Sequence, residues 1–96
     1  MIKHVVMFKL KDNTRNNLSE AVSALEGMRG KISSLRFIEV GVDITKSERS
    51  FDVVLTTHFD DIEGLKEYSS HPVHQPVIDI LRGLCSSISA VDYELN

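Results

Sequence analysis

The 96-residue chain holds four histidines, two tyrosines and one cysteine. Three of those side chains crowd one short stretch, Tyr68-Ser69-Ser70-His71-Pro72-Val73-His74. An imidazole titrates near neutral pH, so it can take or give a proton. A phenol is a neutral donor suited to a developing oxyanion. The stretch therefore contains the parts of an acid/base site. It also contains the parts of an ordinary helix break. His71 and His74 can cap chain ends through ring hydrogen bonds, and Tyr68 can be a core residue with a satisfied hydroxyl.

Other chemistries find less support. His71 and His74 have an H-x-x-H spacing, but Pro72 lies between them and prevents a regular helix from aligning the two rings. No carboxylate stands beside them at zinc-protease spacing, so no metal is expected. There is no phosphate-binding glycine loop, and no nucleotide or other cofactor is expected. Cys85 has no base near it in sequence and reads as a small buried hydrophobe rather than a nucleophile. Lys3, Lys9, Lys11 and Arg15 read as a solvated rim.

The elements that must position these groups follow from periodicity. Met1 to Leu10 alternates as a strand, with Ile2, His4, Val6, Phe8 and Leu10 on one face. His4 therefore looks into the space between sheet and helices, as a pocket group or as a buried histidine bonded to backbone. Val5 and Met7 make the middle of the second face apolar too, so both faces need cover. Asp12-Asn13-Thr14 supplies caps for a helix with Leu18, Ala21, Val22, Leu25, Met28 and Ile32 on its stripe, ending at Gly27 and Gly30. Strands are predicted over Leu35 to Ile44 and Phe51 to Phe59, joined by a polar turn at Thr45 to Ser50.

Asp60 and Glu63 read as the cap of a helix carrying Ile62, Leu65 and Tyr68. Pro72 forces an extended His71 and breaks that helix. Pro76 fits the first turn of a second piece with Val77, Ile80, Leu81 and Leu84. A last strand is predicted from Ser87 to Leu95. The order is βαββαβ, an α+β ferredoxin-like domain with a four-stranded antiparallel sheet. Its uncovered sheet face, holding Val5, Met7, Val54 and Thr56, is expected to pair with a second copy.

Length and composition set bounds on all of this. Ninety-six residues make one domain, here 1–96, and bury roughly 65% of the unfolded surface. A hydrophobic fraction of 42% and a charged fraction of 26% are ordinary for a globular protein. A net charge of −3 argues against a phosphate-binding surface, so no nucleic-acid partner is expected. No apolar run reaches membrane-spanning length and no charged-then-apolar leader precedes the first strand, so a cytoplasmic protein without a membrane partner is expected.

Ile2-Lys3-His4-Val5-Val6-Met7-Phe8-Lys9-Leu10-Lys11, Glu39-Val40-Gly41-Val42-Asp43, Phe51-Asp52-Val53-Val54-Leu55, Phe59-Asp60 and Val91-Asp92-Tyr93-Glu94 share a pattern. With the Tyr68 to His74 stretch, they make the chain resemble the stress-responsive dimeric α+β barrel (Dabb) family over essentially its whole length. The resemblance implies a ferredoxin-like domain paired through its open sheet face into a dimeric barrel. The family is mixed in function, and one plant branch comprises polyketide cyclases that perform an intramolecular aldol closure. In that branch the residues matching Tyr68 and His74 act as an acid/base pair. His74 would remove a proton alpha to a carbonyl, and Tyr68 would hold the enolate oxygen. His4 matches a histidine lining the pocket.

On this resemblance the catalytic residues are His74 and Tyr68. His4, Val6, Phe8, Val22, Leu25, Leu55, His71 and Val77 would line a small apolar pocket for a carbonyl or aromatic ligand. Two departures argue against the plant specificity. Val53 stands where those cyclases carry another pocket histidine, and His58 lies on the opposite face. Helix one presents Ala21, Val22 and Leu25 in place of aromatic residues. The expected function is a homodimeric, cofactor-free acid/base enzyme of cyclase, isomerase or lyase type. The alternatives are a non-catalytic stress-associated structural or ligand-binding dimer, and a cofactor-independent monooxygenase-like protein.

Overall fold

A four-stranded antiparallel sheet, ordered β2-β3-β1-β4, carries three helices on one face in the computed structural model, which describes residues 1–95. The elements are β1 (Ile2–Leu10), α1 (Arg15–Glu26), β2 (Phe37–Val42), β3 (Val53–Phe59), α2 (Ile62–Ser70), α3 (His74–Leu84) and β4 (Cys85–Glu94). This is the ferredoxin-like α+β fold expected from the pattern. The final residue, Asn96, lies outside the described residues.

Alternation on β1 decides which side is core. Val6, Phe8 and Leu10 are buried under the helices, whereas Met7 on the other face is exposed. Every second residue of β3 repeats this: Val53, Leu55, Thr57 and Phe59 are buried. Ala21 and Leu25 of α1, Leu65 and Tyr68 of α2, and Val77 and Leu81 of α3 close over them. Each large apolar side chain sealed in this layer contributes about 1.5–3 kcal/mol. The helix-free face keeps Met7, Phe37, Val91 and Tyr93 exposed.

Several boundaries differ from the expectation. Helix α1 ends at Glu26 with Gly27 as its cap, so Met28 and Ile32 reach the core from the turn that follows, not from the helix. The N-cap of α2 is Asp61, whose carboxylate accepts from Gly64 N at 2.9 Å; Asp60 is drawn away by the Arg36 guanidinium. β2 stops at Val42 because the Asp43 carboxylate takes the Lys46 N–H and turns the chain, leaving Ile44 exposed. β3 begins at Val53, because Asp52 turns its carboxylate inward to accept from Leu10 N at 2.8 Å and Asn13 Nδ2 at 3.2 Å. β4 starts at Cys85, directly after α3, and stops at Glu94.

Candidate active site

The break before Pro72 places the first histidine of the motif. His71 is extended, with φ −67° and ψ 139°, as a residue preceding proline must be. Its Nδ1 accepts the Val73 N–H at 3.1 Å, so the ring holds the bend between α2 and α3. His71 thus serves the backbone of the break, one of the two readings its type allowed.

His74 opens α3 and points back across the break. Its Nδ1 lies 3.1 Å from the Ser69 carbonyl. A carbonyl only accepts, so Nδ1 carries the proton and Nε2 is left with a lone pair. Burial pulls the imidazole pKa below its ordinary value. The Ser69 carbonyl opposes that, while the nearby His4, Arg82 and His71 reinforce it. Burial thus favours the neutral imidazole, with its proton on Nδ1 toward Ser69.

Tyr68 sits one turn before the break, 1% exposed. Its ring centroid is 4.5 Å from that of His74, 5.1 Å from that of Phe59 and 5.9 Å from that of His4, the last in an edge-on arrangement. Burial pushes the phenol pKa up to about 12, which keeps it protonated as a donor. Its hydroxyl reaches the Met28 sulfur at 3.8 Å.

His4 enters this cluster from β1, and its Nδ1 is bonded to the Asp92 carboxylate on β4. The two are register partners in the β1–β4 ladder. The structure thus gathers His4, Tyr68 and His74 about one phenol ring and adds Asp92 behind them. Asp92 was missed as a site residue. Its signal was a lone carboxylate at the alternation shared by Ile88 and Ala90, on the strand that pairs with β1. Met28 was read as helix stripe, with nothing in its spacing to show that it would cover the phenol.

The expected lining residues divide. Val6, Phe8, Leu25, Leu55 and Val77 are buried in the cluster that packs sheet against helices. Val22 is only half-buried on α1. Cys85 is buried as well, and desolvation with the Asp52 charge raises its thiol pKa, the opposite of what activates a nucleophile. His58 stacks on Phe37 at 4.5 Å on the helix-free face, away from the cluster. Among the described residues, no group of three His, Cys, Asp or Glu side chains is placed to hold a metal ion, and no helix is long and apolar enough to cross a membrane.

Comparison with known proteins identifies the family and the fold. The family model for the stress responsive A/B barrel domain matches residues 2–95. An uncharacterised protein of Streptomyces coelicolor is 33% identical, covering 98% of this chain and 99% of its own. Olivetolic acid cyclase of Cannabis sativa is 23% identical over 96% of this chain and 94% of its own. A crystal structure from Bacteroides fragilis, described as a dimeric protein of unknown function with a ferredoxin-like fold, superposes with a TM-score of 0.85. It is 33% identical and covers 98% of this chain and 95% of that one. This chain belongs to the stress responsive A/B barrel domain family.

Proposed function

We propose that the protein is a homodimer that moves a proton alpha to the carbonyl of a small apolar compound, without a cofactor. One observation carries the reading: a neutral His74, its tautomer set by Ser69, lies ring to ring against the protonated Tyr68. His74 Nε2 takes the α-proton, and the Tyr68 hydroxyl donates to the oxygen on which charge develops. His4, oriented by Asp92, meets the phenol edge-on and supplies a further polar group to the site. The outcome is an enolate or enol, which closes onto a second carbonyl, returns as an isomer, or expels a leaving group. Similarity to a cyclase by name agrees with this class without choosing among the three.

The test is exchange of the α-protons of small ketones and β-keto esters in deuterium oxide, followed by NMR. The protein accelerates exchange, and His74→Gln lowers the rate by roughly 10²–10⁴-fold, the usual worth of a positioned base. Unchanged exchange with and without the protein rejects the reading.

A second reading is a non-catalytic, stress-associated dimer. It draws on the His71 ring bond to Val73 and the sealing of the Tyr68 hydroxyl against Met28. In that case His74→Gln lowers the melting temperature and no ketone exchanges. Dimer formation is common to both readings. It is supported by the dimeric description of the Bacteroides fragilis relative and by the apolar residues on the helix-free face of the sheet.

A further inference from the structure

A buried phenol normally bonds to a good acceptor, because an unmet hydroxyl in an apolar site costs free energy. Tyr68 does not have one. Among the described residues its hydroxyl reaches only the thioether of Met28, at 3.8 Å, and thioether sulfur is a weak acceptor. Both side chains are sealed, Met28 at 0% and Tyr68 at 1% exposure. The sulfur therefore occupies the place beside the hydroxyl that a stronger oxygen acceptor would fill.

Met28 stands in the turn that follows helix α1. Helix α1 has already ended at Glu26, so Met28 lies outside its regular hydrogen-bond ladder. Its backbone is held by turn contacts only, Met28 N to Leu25 O at 3.2 Å and Lys31 N to Met28 O at 3.1 Å. Gly30 follows with φ +76°, a conformation that residues with side chains rarely adopt, which shapes the turn independently of α1. Methionine itself is unbranched and repacks at low cost.

We infer that Met28 is the gate of the Tyr68 site: its sulfur is the closed-state stand-in for a ligand carbonyl oxygen, and a neutral ketone of a few carbons binds by displacing it. This rests on the acid/base reading and adds to it a residue that sets ligand size and access. A ligand too bulky to share the space with the swung-out side chain is excluded. A ligand without an acceptor oxygen gains nothing from Tyr68 in exchange for the sulfur.

The experiment uses the full chain with butanone as probe and 2-methyl-1-butene as its control, the same shape with CH2 in place of the oxygen. Protein labelled at methionine ε-methyl and tyrosine ζ-carbon is titrated by NMR. Met28→Ala is expected to bind butanone at least about tenfold more tightly than wild type, since the displaced contact is already gone. Adding Tyr68→Phe to Met28→Ala is expected to erase the preference for ketone over alkene.

Equal butanone affinities in wild type and Met28→Ala overturn the gate. If Met28→Ala does not fold, the wild-type titration decides. A Met28 methyl that shifts together with the Tyr68 carbon supports the gate. A Tyr68 carbon that shifts while Met28 stays fixed overturns it and leaves the acid/base reading intact. A ketone preference that survives Tyr68→Phe in the Met28→Ala background overturns both.

Discussion

His4 and Asp92 face each other across the β1–β4 ladder, bonded through Nδ1 and the carboxylate although 88 residues apart in sequence. The bond fixes the ring and leaves Nε2 as its other nitrogen. Because Asp92 is half exposed, the pair contributes little to stability. Asp92→Asn is expected to change unfolding free energy by less than about 1 kcal/mol in urea. The same variant lowers ketone exchange by roughly tenfold through a mispositioned His4. A large stability loss with unchanged exchange would assign the pair to the fold alone.

Tyr68→Phe separates the hydroxyl from the ring. The ring packs against Phe59, His4 and His74, and phenylalanine keeps those contacts. The lost bond to sulfur is weak, and removing a poorly satisfied buried hydroxyl is nearly neutral. Thermal and urea unfolding are expected to match wild type within about 1 kcal/mol, while ketone exchange collapses.

His74 makes stability depend on pH with a definite sign. Its folded-state pKa lies below the unfolded value, because burial disfavours the charged ring. The unfolded chain therefore binds the proton first as pH falls. This contribution is fully present above about pH 6.5 and is lost on acidification through the lower folded pKa. A series of melting temperatures from pH 8 down to pH 5 should slope downward below neutrality, and His74→Gln should flatten that slope.

Asp52 is a buried carboxylate that ties the end of β1 to the start of β3. It accepts from Leu10 N and Asn13 Nδ2, with Lys9 Nζ at 3.8 Å. Asp52→Ala orphans a buried backbone donor. It is expected to cost about 2–4 kcal/mol in urea unfolding, as removal of charged hydrogen-bond acceptors does.

Val54 pairs with Met7 and Gly41 at the middle of the helix-free face. Val54→Asp would bury an unpaired charge in a sheet-to-sheet interface. Light scattering should give twice 10.8 kDa for wild type and 10.8 kDa for the variant. A wild-type monomer at micromolar concentration would remove the dimer.

Much of the frame was legible because it is written in short-range pattern. The alternation of β1 announced which face the helices cover, and Pro72 located the helix break that brings His74 against Tyr68. The caps were less legible. Asp60 and Asp61 are adjacent carboxylates, and the choice between them depends on Arg36, which claims Asp60 from 24 residues away. Met28 continued the helical count of α1, but periodicity counts positions and does not follow a backbone that turns at Gly27. The Met28–Tyr68 and His4–Asp92 contacts join residues 40 and 88 apart, a separation that no local spacing encodes.

Strand β4 has only Cys85 buried among its ten residues. Ser87 to Glu94 are eight positions paired to β1 along one edge yet exposed on their side chains. Covering them is then a matter of mass action. Where association covers the helix-free face of that strand, the free energy of folding contains the protein concentration itself. Stability measured for one subunit would in that sense depend on how many are present.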